Sequence, residues 1–216
     1  MLPGHSTNGN DFVGNLKFEP LTRRSWGKFV ELFGDRGACA DCWCMYYRLA
    51  RSEFKRGQAG FLNKGRMKRL VWSGKPVGLL AVYLKEAVGW LALAPREDFV
   101  KLKSSRVHKP VDNLPVWSIT CFFIRRDFRR KGLSEALLNG AIAYARKKRI
   151  KVLEAYPVIL AKKKWPDSFL WVGLYKSFER VGFEIVDRTS KSRPTVRYSL
   201  MKNPRAKRQQ RAAGTG

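Results

Sequence analysis

Long apolar runs are missing from this sequence. No stretch approaches the roughly 18 consecutive apolar residues that a membrane-crossing helix needs. The first dozen residues are polar and glycine-rich, without the apolar centre of a secretory signal. The chain is therefore expected in the cytoplasm, without membrane association and with its four cysteines reduced. Acid is scarce too: 17 Asp and Glu stand against 44 Lys and Arg, for a formal charge of +27. Five of the basic residues (Lys202, Arg205, Lys207, Arg208 and Arg211) lie in a segment without apolar pattern, so the body itself remains strongly basic. Such a field attracts polyanions and says nothing about fold. Nucleic acid, a ribosome or an acidic substrate fits it, and so does a solvated basic surface. Histidine is nearly absent. His5 and His108, with Cys121, are the only further ligands to set beside the Cys39-x-x-Cys42-x-Cys44 cluster, and zinc needs four. No second pair lies nearby, so the cluster is expected to pack as reduced sulfur among aromatic rings, and no metal is assigned. Internal repeats are also lacking.

The stretch that organises the chain is Val116 to Ala145. Val116 to Ile124 is apolar on both faces and rich in β-branched and aromatic residues, as a central strand should be. From Ser134 to about Lys148, Leu137, Leu138, Ala141, Ile142 and Ala145 recur at helical spacing. Between them runs Arg129-Arg130-Lys131-Gly132-Leu133-Ser134. A turn feeding a helix N-terminus presents unpaired amides and the positive end of the helix dipole. Gly132 permits close approach of a ligand and the flanking bases add charge, so the turn reads as a phosphate cradle.

The remaining elements follow from periodicity. Residues 1–14 are expected to be flexible, residues 15–202 to form one domain, and 203–216 to be a basic disordered tail. Leu16 to Leu21 reads as a strand, and Trp26, Phe29, Val30 and Phe33 mark a helix ending at Gly34. Residues 50–73 read as a basic helix with Phe61, Leu62, Met67, Leu70 and Val71 as its apolar set. Val77 to Leu84 and Val88 to Ala94 form a hairpin. Residues 96–115 read as a long loop or a short helix plus loop. Lys151 to Val158 is a strand, closed by a basic insertion at Lys162 to Lys164. Ser168 to Val181 reads as a helix, with Phe183 to Val186 and Thr195 to Leu200 as closing strands. The order of elements argues for a mixed α/β sheet with helices on both faces.

Two runs resemble a known family. Ile124 to Leu138 is similar to the coenzyme A signature of the GNAT N-acetyltransferase superfamily: an Arg or Gln, two residues, Gly, one residue, then Gly or Ala. Arg129 and Gly132 match, and Ser134 departs from the last small residue by a hydroxyl. Phe178-Glu179-Arg180-Val181-Gly182-Phe183 resembles the superfamily's late motif, and the spacing of elements matches from about Leu16 to Met201. The Cys-Trp-Cys-Met run at Cys42 to Met45 resembles one branch of GNAT-like proteins. The resemblance implies a mostly antiparallel twisted sheet with splayed central parallel strands, and acetyl transfer from acetyl-CoA to a primary amine by direct attack. By it, backbone groups of Phe122, Phe123 and Ile124 pair with the pantetheine arm, and the amides from Arg129 through Arg130, Lys131, Gly132 and Leu133 to Ser134 hold the pyrophosphate. Trp43, Tyr46 and Tyr47 become candidate contacts to the acceptor, a small-molecule amine or a peptide N-terminus.

The chemistry then asks for proton transfers. An amine of pKa about 10.4 is only about 0.04% neutral at pH 7, a cost of roughly 4.6 kcal/mol, so a base or a desolvating site is the larger need. The thiol leaving group resembles cysteine and leaves at modest cost. Relatives commonly carry a tyrosine acid where Phe178 stands here. Tyr175, one turn earlier, is the nearest replacement, with water as the alternative. The fourth strand holds no carboxylate, so Glu154 on the next strand is the acidic candidate, against the plainer reading of an ion pair with a nearby base. Asp112 and Asp167 are loop candidates, and Cys121 is expected to be simply buried. A reading from a different class remains open: a GNAT-like acyl-CoA-binding module docked on RNA or the ribosome through its basic surface.

Overall fold

The computed structural model describes residues 9–160 and 170–201. Its strands are β1 (Lys17–Pro20), β2 (Gly78–Tyr83), β3 (Glu86–Pro95), β4 (Trp117–Ile124), β5 (Val152–Ala155), β6 (Glu184–Asp187) and β7 (Thr195–Ser199). They form one seven-stranded sheet in the order β1-β2-β3-β4-β5-β7-β6. The β4–β5 pair is parallel and the other pairs are antiparallel. The expected mixed, mostly antiparallel sheet is the one observed.

Alternation along β2 and β3 builds two cores. Leu79, Ala81, Leu91 and Leu93 point to one face, where they meet Leu137, Leu138, Ala141 and Ala145 of α6 (Leu133–Lys147). Leu80, Val82, Trp90 and Ala92 point to the other face. There they meet Phe29, Leu32 and Phe33 of α2 (Trp26–Phe33) and Met67 and Val71 of α4 (Asn63–Trp72). Both faces of the central strands are covered, which is why those strands read as unbroken apolar runs.

The β3–β4 register skips one residue: Ala92 opposes Cys121, but Leu93 opposes Ile119. Thr120 is thus the extra residue of a β-bulge, and it re-aims β4 beyond that point. Accordingly β4 pairs with β5 only from Trp117 to Ile119. After Ile119 the two strands part.

Three expectations are corrected. The chain is helical from Gly9, in α1 (Gly9–Gly14), because Phe12 buries itself against Tyr83 and Phe128. Residues 50–73 form two helices, α3 (Arg51–Ala59) and α4, with the break at Gly60 and at Phe61, which has a φ of 53°. The Leu62 amide closes the turn onto the Gly57 carbonyl at 2.8 Å. Phe61 and Leu62 consequently face solvent, at 77% and 53% exposure. The late helix α7 (Tyr175–Arg180) is six residues long, and Leu170 and Leu174 lie before it. Residues 96–115 hold a 3₁₀ turn (Arg96–Asp98) and the short α5 (Val100–Lys103). The basic insertion at Lys162 to Lys164 and the tail from Lys202 lie outside the described residues.

Helix α6 approaches the sheet edge through Gly140, where a Cβ would meet the Phe18 ring of β1 at 2.5 Å. Gly140→Ile should overpack this contact and cost about 1–3 kcal/mol. The expected outcome is a melting temperature several degrees lower, checked by thermal unfolding; an unchanged midpoint would show that β1 yields freely.

Candidate active site

The parting of β4 from β5 opens a gap, and the segment before α7 enters it. The Phe122 amide of β4 donates to the Trp171 carbonyl at 2.6 Å. On the other side, the Val158 amide donates to the Gly173 carbonyl at 2.9 Å, and the Tyr175 amide to the Val158 carbonyl at 3.0 Å. Gly173 has a φ of 86°, and a Cβ there would meet Phe178 at 2.8 Å and Phe122 at 3.1 Å, so this close approach requires glycine.

Which β4 groups face the gap follows from alternation along the strand. The Phe122 amide and the Ile124 carbonyl point into it, the latter accepting from Arg129 Nε at 3.2 Å. The Arg125 amide goes the other way, to Val88 of β3. Phe123 therefore turns its backbone to β3, and its ring packs on Phe33 across the sheet. This corrects the expectation that Phe122, Phe123 and Ile124 all present backbone to one ligand.

Beyond β4, Arg130 and Gly132 both take left-handed backbone, at φ of 61° and 77°. The first helical amide to find a carbonyl is that of Ala136, on Gly132 at 3.1 Å. Among the described residues, no carbonyl accepts from the amides of Arg130 to Glu135. These are the orphan donors of a helix start. A Cβ on Gly132 would have only Val13 near it, at 3.7 Å, so the turn is open on that side. Arg129 is folded back onto the strand end, while Arg130 and Lys131 are exposed and Ser134 is half-buried.

On the other face of the sheet, Tyr46, Tyr47 and Trp171 form an aromatic wall, with ring centroids 5.1 to 5.6 Å apart. Phe54 of α3 extends it beside Tyr46. Lys101 Nζ sits 3.2 Å from the centre of the Tyr46 ring, and desolvation among these rings pushes its ammonium down to about 8. Trp43 stands apart from this wall. It is buried in the second core, stacked on Phe33, with its indole N–H donating to Asp41. Its expected role as an acceptor contact is corrected to packing. Trp171, Phe54 and Lys101 carried no sequence signal, since no periodicity marks them and Lys101 is one lysine among many.

Glu154 is fully buried and both its oxygens are taken. Oε1 accepts from Arg96 Nε at 3.1 Å and from the Tyr156 hydroxyl at 2.6 Å; Oε2 accepts from Arg197 Nε at 2.8 Å. The Ser118 hydroxyl completes the chain by bonding the Tyr156 oxygen at 2.9 Å. A carboxylate so engaged is a structural ion pair, which favours the plainer of the two sequence readings. At Tyr175, desolvation and then the Glu179 carboxylate one turn on raise the hydroxyl's pKa. Phe178, in the usual acid's position, is buried against Phe122 and Phe183.

The cysteines pack. Cys44 Sγ accepts from the Trp90 indole at 3.2 Å, and burial pushes the Cys42 thiol up to about 11. No group of three or more metal-ligating side chains converges among the described residues.

Comparison with known proteins agrees with this fold. A family model described as the acetyltransferase (GNAT) family matches residues 43–182. The fold is similar to a histone acetyltransferase HPA2 and related acetyltransferase from Corynebacterium glutamicum, at TM-score 0.53 and 14% identity, over 88% of this chain and 99% of that one. It is also similar to a GNAT-family acetyltransferase from Streptococcus agalactiae, at TM-score 0.50 and 11% identity, over 87% and 96% of the two chains. The PaiA N-acetyltransferase of Thermoplasma acidophilum, solved with coenzyme A, aligns at TM-score 0.49 and 12% identity, over 86% and 99%. No curated protein matches the chain.

Two outcomes are expected at the buried polar cluster. Glu154→Ala leaves two arginines facing an uncompensated site and should cost about 3–5 kcal/mol in chemical denaturation; a loss under about 1 kcal/mol would mean the pair is dispensable. His108 lies buried against the Tyr156 ring at 4.7 Å, with Nδ1 3.4 Å from the Thr195 hydroxyl. Desolvation, then Arg193, depresses its pKa from 6.5 to about 4. The unfolded chain thus takes up the proton first. The contribution is complete above pH 6.5 and is lost as pH falls from 6.5 toward 4. His108→Gln should flatten that limb of the stability–pH curve, and a limb of unchanged slope would exclude His108 as its source.

Proposed function

The chain belongs to the GNAT acetyltransferase family, and from that premise we propose that it moves an acetyl group from acetyl-CoA to a primary amine by direct attack. The observation that carries this reading is the open turn at Gly132: consecutive unpartnered amides at the start of a 15-residue helix, directly after a strand that has parted from its parallel neighbour. Acetyl-CoA, the family's co-substrate, supplies an activated acetyl thioester. The residues present fit it. The amides from Arg130 to Ser134 hold pyrophosphate, Arg130 and Lys131 add charge, and Arg129 fixes the turn against β4 by its bond to Ile124. Phe122 and Ile124 offer backbone to the pantetheine arm, for which the Trp171 carbonyl must release the Phe122 amide.

The acceptor amine approaches along Tyr46, Tyr47 and Trp171. Lys101 serves there as an internal gauge of what these walls do to an ammonium. At a pKa of about 8, about 10% of an amine is neutral at pH 7, against about 0.03% at the ordinary 10.5. A gain of that order comes chiefly from desolvation, helped by a neighbouring cation such as Arg51, without a carboxylate base. Glu154 keeps its structural bonds, and the proton of the acceptor passes to water. The leaving thiolate likewise takes its proton from water, because Phe178 has none to give and desolvation, then the Glu179 carboxylate, raises the pKa of Tyr175.

A second reading, docking on RNA or the ribosome, is favoured by α3 and α4, which carry Arg51, Lys55, Arg56, Lys64, Arg66, Lys68 and Arg69 against one acid, Glu53. An affinity that barely changes between low and moderate salt would exclude it.

Thiol release from acetyl-CoA, assayed across amino acids, polyamines, aminoglycosides and peptide N-termini, tests the first reading. Gly132→Asp should abolish coenzyme A binding and turnover, since it sets a negative charge among the phosphate-facing amides. Tyr175→Phe should fall well short of the ~10²–10⁴-fold loss in kcat that removal of a general acid produces. Wild-type affinity for coenzyme A in the Asp variant would overturn the site.

A further inference from the structure

Arg48 is a buried charge, 6% exposed, without an ion pair among the described residues. One Nη donates to the Val77 carbonyl at 3.2 Å, and the guanidinium lies 4.6 Å from the centre of the Phe99 ring. Its Nε, also buried, has no hydrogen-bond partner. A guanidinium stays protonated in proteins, so it cannot escape burial by losing its charge. Buried charges are normally paired, and this one is incompletely satisfied.

The residue lines a cavity of about 340 Å³ between the Met45–Leu49 segment and α4, and three more cations reach that cavity: Arg66, Arg69 and Lys75. Arg66 is partly engaged, with the Glu53 carbonyl and Asn63. Arg69 and Lys75 are exposed and have no side-chain hydrogen bond or ion pair among the described residues. Asp98 is the sole carboxylate in the lining, so four cations meet one anion. The volume is at the small end of ligand sites, yet exceeds that of a single inorganic anion.

We propose that this cavity is a second anion site, built for a compact ligand carrying more than one phosphoryl group. Four cations in one lining call for a multiply charged partner, and guanidinium forks match phosphoryl oxygens in pairs. Asp98 and the limited volume disfavour an extended polyanion. The site lies across the sheet from the turn at Gly132: Met45 and Met67 belong to the core of one face, Leu133 to that of the other. Its occupant is therefore a different molecule from the one held at the turn. Arg48 directly follows Tyr46 and Tyr47, so a ligand bound there orders the segment that carries the aromatic wall.

Pyrophosphate is the probe, titrated into full-length Gly132→Asp protein by calorimetry and thermal shift, so that the turn no longer contributes. Saturable binding of one pyrophosphate per chain is expected. Adding Arg69→Glu with Lys75→Glu should weaken it roughly tenfold or more, as inversion of two charges requires. The control Lys147→Glu with Lys148→Glu makes the same change in net charge on the far side of α6 and should leave affinity unaltered. Both pairs are exposed, so neither variant depends on refolding a core. Absence of binding in the Gly132→Asp background, or equal losses in the two double variants, would overturn the proposal. Neither result bears on acetyl transfer, which is read separately from thiol release by the wild type.

Discussion

One buried carboxylate holds the sheet together at the place where it begins to come apart. Glu154 lies on β5 opposite Ser118 of β4 and Arg197 of β7. Its ion pairs reach Arg197 and Arg96, the latter just beyond β3, and the Tyr156 hydroxyl links it back to Ser118. Four neighbouring strands are thus tied through one side chain. Two residues beyond Ser118, Thr120 bulges from β4, and pairing with β5 has ended at Ile119. A gap between parallel strands exposes backbone groups that must be satisfied, and a sheet opened in this way needs firm closure beneath the opening. Replacing such a cluster with apolar residues is often neutral, whereas removing one partner is costly. Its value here is placement: it fixes where the strands stop pairing.

Above that clamp the two faces of the sheet take different work. On the α6 face, the turn at Gly132 offers unpartnered amides and positive charge, which suits phosphate. On the opposite face, Tyr46, Tyr47, Trp171 and Phe54 offer low polarity, which suits an amine that must lose its proton. Trp171 touches both: its ring belongs to the aromatic wall and its carbonyl occupies the β4 amide inside the gap. Opening of the gap and the shape of the aromatic wall are therefore coupled through one residue, by exchange of a single backbone hydrogen bond.

The excess of positive charge is spent unevenly. Arg96 and Arg197 neutralise Glu154, and Arg125 grips Asp127 and Glu86 at the mouth of the turn. Arg48 is buried beside a cavity with three further cations. The rest is solvated, most densely on α3 and α4. A field of this sign favours phosphorylated ligands at every anion site on the molecule and lowers the local concentration of cationic acceptors.

Local periodicity and turn chemistry were sufficient for the elements, because a strand, a glycine turn and an amphipathic helix each state their geometry within a few residues. Val116 to Ala145 carried the donor turn for that reason. The mixed direction of the strands and the helices on both faces followed from the order of elements and from the resemblance that Arg129 and Gly132 carry, whereas the order of strands in the sheet did not. What the chain does between distant segments was not legible. Glu154 read as a possible base until folding brought Arg96 and Arg197 to it from 58 and 43 residues away. Trp43 read as a binding residue until packing buried it on Phe33, and Trp171 carried no pattern until the gap claimed its carbonyl. Sequence by itself determined which backbone shapes the chain adopts and which donor it accommodates, since those depend on neighbours along the chain. Tertiary structure alone decided which charges are silenced, which rings form the aromatic wall and which arginine is left without an ion pair, because burial and pairing are set by residues far apart in sequence.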